Sequence, residues 1–129
     1  MSRIRGKDTA PERTVLSLLK SFGYRPDAHR RDLPGIPDLV LPRRRIALFV
    51  HGCFWHRHPR CKYCYSPKTN TKFWNAKFQS NVARDRLVKR QLRKRGWRTL
   101  IIWECELRLM PRLKSRLRLA LARRGTPSR

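Results

Sequence analysis

The stretch "DLVLPRRRIALFVHG", residues 38–52, decides the fold. Within it "IALFV" (46–50) is apolar on both faces instead of alternating. Such a run marks a strand covered from both sides, and so a central one. "DLVL" reads as a short buried strand before it, and "PRRR" turns the chain between the two. Upstream, "DLPGIPD" is a turn-rich approach, and Tyr24 to His29 reads as a first strand interrupted by Pro26. Before that, Val15, Leu18, Leu19 and Phe22 recur at helical spacing. Thr9 or Asp8 can cap this helix, Pro11 lies in its first turn, and Gly23 ends it.

Downstream, Asn70 or Thr71 caps a long helix from about Phe73 to Arg95, with a break expected near Ser80. Phe78, Val82, Val88 and Leu92 share its inner face. Gly96 closes it, "RTLIIW" (98–103) gives another buried strand, and Pro111 opens a last helix with Leu113, Leu117, Ala120 and Leu121 inward. Helix, three strands, helix, strand and helix predict an α/β sandwich around a small mixed sheet. A chain of 129 residues makes one domain over 1–129, with basic tails at 1–8 and 123–129 expected to be flexible.

Lys and Arg number 33 against 8 acids, a formal net charge of +25. The apolar residues, 40% of the chain, fall in periodic blocks, which excludes a disordered polycation. No stretch has the length of a membrane span or the apolar run of a signal peptide, so an intracellular, cytoplasmic protein is expected. Its thiols then stay reduced, and its polyanionic partner is nucleic acid rather than a membrane.

"HGCFWHRHPRCKYC", residues 51–64, gathers three of the four histidines and three of the four cysteines. Cys53, His58 and Cys61 form C-x4-H-x2-C, and Cys105, after a later strand, can close a tetrahedral zinc site from the far side of the sheet. Cys53, Cys61, Cys64 and Cys105 are the all-thiolate alternative. His51 and His56 taken singly read as surface or packed residues. Together, flanking a strand end downstream of a Pro-Asp pair, they suggest chemistry. Asp38 at a strand start can bind Mg²⁺ or simply cap its turn. Glu12 can reach the same site or serve as a favourable first-turn acid. Phe54, Trp55 and Trp74 can stack on or wedge between bases, or pack the loop to the sheet.

Taken in order, "KDTAPE", "DLPGIPDLV", "FVHGCFWH", "PKTNTKFW", "NVARDR" and "GWRTLIIWEC" resemble the very-short-patch repair (Vsr) endonucleases, from about Ile4 to Cys105. The resemblance implies a restriction-endonuclease-like (PD-(D/E)xK superfamily) three-layer fold with a structural zinc site. It also implies a monomeric, Mg²⁺-dependent nickase, nucleoid-associated when bound, that cuts one strand of double-stranded DNA 5′ to the T of a T·G mismatch. Carried over, Asp38 is the Mg²⁺ carboxylate, assisted by the Val50 main-chain carbonyl and, through water, by Glu12. His56 is the general base and His51 assists at the scissile phosphate. Cys53, His58, Cys61 and Cys105 are the zinc ligands, and Phe54, Trp55 and Trp74 the DNA wedge. The superfamily's acid-x-Lys pair is absent, as in the Vsr branch. The chain also begins later than some relatives, which is expected to alter affinity and sequence context. Two rivals share these residues: a Vsr-like nickase of different or relaxed specificity, and a catalytically inactive zinc-stabilised DNA-binding module.

Overall fold

The computed structural model describes residues 9–122; both expected tails lie outside them. Helix α1 (Ala10–Ser21) begins at Thr9, whose hydroxyl accepts from the Glu12 N–H at 3.4 Å, and ends at Gly23 with φ +95°. Strands β1 (Asp27–Ala28), β2 (Leu39–Leu41) and β3 (Ile46–His51) follow. Helix α2 (Thr71–Lys94) crosses over to β4 (Arg98–Trp103), and α3 (Met110–Ala122) closes the chain. The sheet order is β1-β2-β3-β4, with β1 and β2 antiparallel, β2 and β3 antiparallel, and β3 and β4 parallel. "IALFV" is therefore interior to a mixed sheet, as its uninterrupted apolarity requires.

Three layers form because the sheet buries both faces. Leu39, Leu41, Ile46, Leu48 and Ile102 meet Val15, Leu18 and Leu19 of α1 and Leu113, Leu117 and Leu121 of α3. On the other face Val40, Ala47, Phe49 and Ile101 meet Val88 and Leu92 of α2. Ala120, expected inward, is only half-buried. The first strand is shorter than Tyr24–His29. Pro26 has no N–H for a ladder, and His29 turns into the left-handed region at φ 49°, so only two residues pair.

The expected break at Ser80 does not occur: α2 runs unbroken for 24 residues. Ser80 faces solvent, where a mid-helix serine costs little. Along the inner side, Trp74, Phe78, Asn81, Asp85, Val88 and Leu92 follow a four-three spacing that keeps one face turned to the protein. Asn70 stands at the N-cap position with φ 53°, but its side chain accepts no cap bond from the first-turn N–H groups.

The turn that delivers Asp38 depends on Gly35. Its φ is +74°, and a Cβ there would lie 2.5 Å from Val88 Cγ1 and 3.3 Å from Phe49. Valine is stiff at χ1 and cannot swing away. Gly35→Ala should therefore cost about 1–3 kcal/mol by overpacking, seen as a Tm lower by roughly 5 °C or more. An unchanged melting curve would show that the turn does not depend on this contact.

Candidate active site and metal centres

The site forms where the C-terminal ends of the parallel strands β3 and β4 open beside the start of β2, the usual place for a site in a sheet with a crossover. A cleft of about 190 Å³ there is lined by Asp38, His51, His56 and Asp85, with Arg84 and Lys89 at its rim. Asp38, from one stretch, and His51 and His56, from another, thus share one cavity. Asp38 directly precedes β2, the antiparallel neighbour of β3, and its Oδ2 accepts the Val50 N–H at 2.7 Å. Val50 therefore serves the site through its backbone.

Glu12, on α1, joins Asp38 in a second group completed by His29. Glu12 is 8% exposed, and its Oε1 lies 3.1 Å from His29 Nε2. Burial, opposed by the Val50 hydrogen bond and reinforced by the charge of Glu12, pushes Asp38 up to about 7. Two carboxylates in a half-dry corner are short of positive charge. An oxygen-seeking divalent cation would supply it, and the donor set fits one.

His51 and His56 stack with centroids 3.7 Å apart and planes 7° from parallel. Burial first, and His56 second, bring His51 down to about 4. Its Nδ1 is buried with no hydrogen-bond partner among the described residues. The second imidazole is oriented by a carboxylate: His56 Nδ1 lies 2.7 Å from Asp85 Oδ2. With Nδ1–H donating to Asp85, His56 Nε2 is left with a lone pair, the arrangement that a general base needs.

The cysteine loop draws together one imidazole and three thiols. The ligand atoms of Cys53, His58, Cys61 and Cys105 all lie within 4.8 Å of one another, and Cys105 Sγ is 3.4 Å from His58 Nδ1. Cys64 is not in the group, so the all-thiolate alternative is not the one the fold assembles. Cys105 arrives from the 3-10 turn Glu104–Arg108 directly after β4. Because β3 and β4 are parallel, it comes from the same end of the sheet as Cys53, not from the far side. Burial pushes the Cys53 thiol up to about 12. A soft divalent cation would draw off that proton, and the tetrad fits zinc.

The aromatics form a cluster with Phe54 at its centre. Its ring lies 4.8 Å from Tyr65, 5.1 Å from Trp55, 5.6 Å from Trp74 and 5.1 Å from Phe78. Arg57 covers Phe78 at 3.9 Å. Phe54 and Trp74 are half-buried, whereas Trp55 is 45% exposed. Packing and presentation are thus divided: Phe54 and Trp74 hold the cluster, and Trp55 is its projecting edge.

Three residues entered the site unassigned by sequence reasoning. Asp85 had a signal: it is the sole acid in α2 and lies seven residues from both Phe78 and Leu92, on the inner face. His29 had none beyond being a histidine. In the sequence Trp103 marks only the end of a strand, yet its indole stacks on His58 at 4.2 Å and meets His51 edge-on at 5.3 Å. It joins the cysteine loop to the histidine pair.

Comparison with known proteins gives the family. The family described as "DNA mismatch endonuclease Vsr" matches residues 1–62. A type II nicking enzyme of Xanthomonas oryzae is 48% identical over 118 residues, covering 92% of this chain and 86% of the relative. The DNA mismatch endonuclease Vsr of Escherichia coli is 44% identical, covering 84% and 69%. A type II nicking enzyme of Neisseria meningitidis is 38% identical, covering 84% and 76%.

Proposed function

Because the chain belongs to the Vsr family of DNA mismatch endonucleases and is a DNA endonuclease, we propose that it nicks one strand of duplex DNA 5′ to the T of a T·G mismatch. The observation that carries this reading is the meeting of Asp38, His51 and His56 in one cleft, with the exposed Trp55 next to His56 in the chain. A DNA-binding module without catalysis has no need of that cleft, nor of a carboxylate aligning one of its histidines.

The framework is read as that of PD-(D/E)xK nucleases, with Asp38 as the PD aspartate and the histidine pair in place of acid-x-Lys. Asp38, the Val50 carbonyl and Glu12 are the residues that would hold Mg²⁺, which would neutralise charge on the phosphate. His56, fixed by Asp85, takes the proton of the attacking water at Nε2. His51, stacked behind it, donates an N–H toward the phosphate. Cys53, His58, Cys61 and Cys105 would hold Zn²⁺ and so order a loop that has little regular structure of its own. The protein acts as a monomer, in the cytoplasm and on the nucleoid. Among the described residues no helix is long and apolar enough to cross a membrane.

Mismatch preference follows from stacking energetics. A T·G wobble is weaker than a Watson–Crick pair, so unstacking its neighbours to admit Trp55, backed by Phe54 and Trp74, costs less there. The difference is a few kcal/mol per step at most. End-labelled duplexes test this: T·G should be nicked on the T strand far faster than T·A, and Trp55→Ala should narrow that gap as well as the rate. Equal cleavage of T·G and T·A by the unaltered protein would sink the mismatch assignment. Two of the three relatives described above are named as type II nicking enzymes, which favours a site-specific nickase as the second reading. Varying the bases around the mismatch in the same panel separates the two.

A further inference from the structure

The active centre occupies one end of the sheet, and the opposite end is also strongly basic. There the β2–β3 turn (Pro42–Arg44) meets the segment after α1 and the last turn of α3. Arg25, Arg43, Arg44, Arg45 and Arg118 are all exposed at this pole. A groove of about 610 Å³ lies between Tyr24–Asp27 and Leu41–Arg44, and Asp27 is the sole carboxylate in its wall. That carboxylate already faces Arg30 at 3.5 Å.

Some of these guanidinia have structural contacts. Arg44 donates to the Leu121 carbonyl and lies 5.2 Å over the Tyr24 ring, and Arg45 donates to the Arg95 carbonyl at 3.2 Å. Carbonyls and rings leave the charge in place. Arg25 and Arg43 have neither a hydrogen bond nor an ion pair among the described residues. Nothing in the fold requires them to be cationic. Solvent and salt screen their mutual repulsion in part, and a bound polyanion would relieve it further.

We propose that this pole is a second nucleic-acid site, which holds the phosphate backbone of a DNA segment other than the one being cut. The distance decides that the segment is separate. Six residues of β3 at about 3.3 Å each set the pole roughly 20 Å from His51, on the far side of a packed core. A straight duplex seated across the cleft and Trp55 does not reach round to it. The groove suits a backbone, with guanidinia along its wall to take phosphates and the Tyr24 ring beneath them. One protein thus bridges two segments, which lets it search a second stretch of DNA while it holds a first.

A bead-bound short T·G duplex, saturated with protein in buffer without added divalent ion, tests this by capture of a separate fluorescent paired duplex. The unaltered protein should capture up to one fluorescent duplex per chain. The doubly substituted Arg25→Glu, Arg43→Glu protein should capture at least 10-fold less. It should keep its hold on the bead duplex and nick a lone short duplex within 2-fold of the original rate. The salt slope of capture should be shallower by at least about 1.8 in log K against log salt, two phosphate contacts at 0.9 each. Absence of capture by the unaltered protein, as expected if the pole serves an acidic protein instead, overturns the proposal. So does equal capture by the variant, as does loss of the bead duplex together with capture. If T·G nicking fails while capture persists, the functional reading falls and the second site stands.

Discussion

Asp38→Ala should abolish nicking outright while leaving the fold largely intact in metal-free buffer, with relief of the buried charge set against the lost Val50 N–H bond. The carboxylate is held in a buried corner against Glu12, so the folded chain without metal gains little or nothing from its charge. Its value lies in what it holds for the reaction. His56→Ala should slow nicking on the order of 10²–10⁴-fold, the range for a lost general base. Asp85→Asn, which keeps the shape but not the charge that aligns His56, should cost about 10–100-fold, as outer partners of functional histidines do. Adding Asp85→Asn to His56→Ala should cost nothing further, because the carboxylate acts through that imidazole. Single-turnover nicking of a T·G duplex measures all four. Near-normal turnover by His56→Ala would move the base elsewhere, and additive losses in the double variant would give Asp85 a role of its own.

The second large effect is on stability. Purified protein should hold one zinc per chain, and Cys53→Ala or Cys105→Ala should lower Tm by roughly 10 °C or more as the loop loses its anchor. Cys64→Ala should barely move it, since that thiol lies outside the tetrad. The damage should also reach the reaction, because the His58 ring is one face of the stack that runs through Trp103 to His51. Elemental analysis beside thermal melting reads the first consequence, and single-turnover nicking reads the second. Full zinc loss in Cys64→Ala with none in His58→Ala would overturn the ligand assignment.

By itself the sequence determined whatever is local or periodic. "IALFV" declared a strand covered on both faces because no alternation was present to expose one. Val15, Leu18 and Leu19 declared the buried face of α1, and Leu113, Leu117 and Leu121 that of α3. The dense run from His51 to Cys64 marked the place where a candidate cleft and a possible metal tetrad come together. Ser80 misled because a weak helix former is a signal only where its surroundings are weak too. α2 is held by the packing of Trp74, Phe78, Val88 and Leu92 on either side of it.

What the tertiary structure alone decided was partnership across the chain. Asp85 meets His56 from 29 residues away, and His29 meets Glu12 from 17, through the way helices lie on the sheet. No local pattern encodes such a meeting. The arrival of Cys105 from the near end of the sheet follows from the parallel pairing of β3 with β4, and the path of the loop after β3 brings His58 rather than Cys64 into the tetrad. Register sets His51 beside Trp103 and so ties the cysteine loop to the histidine pair. Local sequence fixes which side chains a strand carries. Only the pairing of that strand with another, sealed by a core on both faces, fixes which of those side chains can touch.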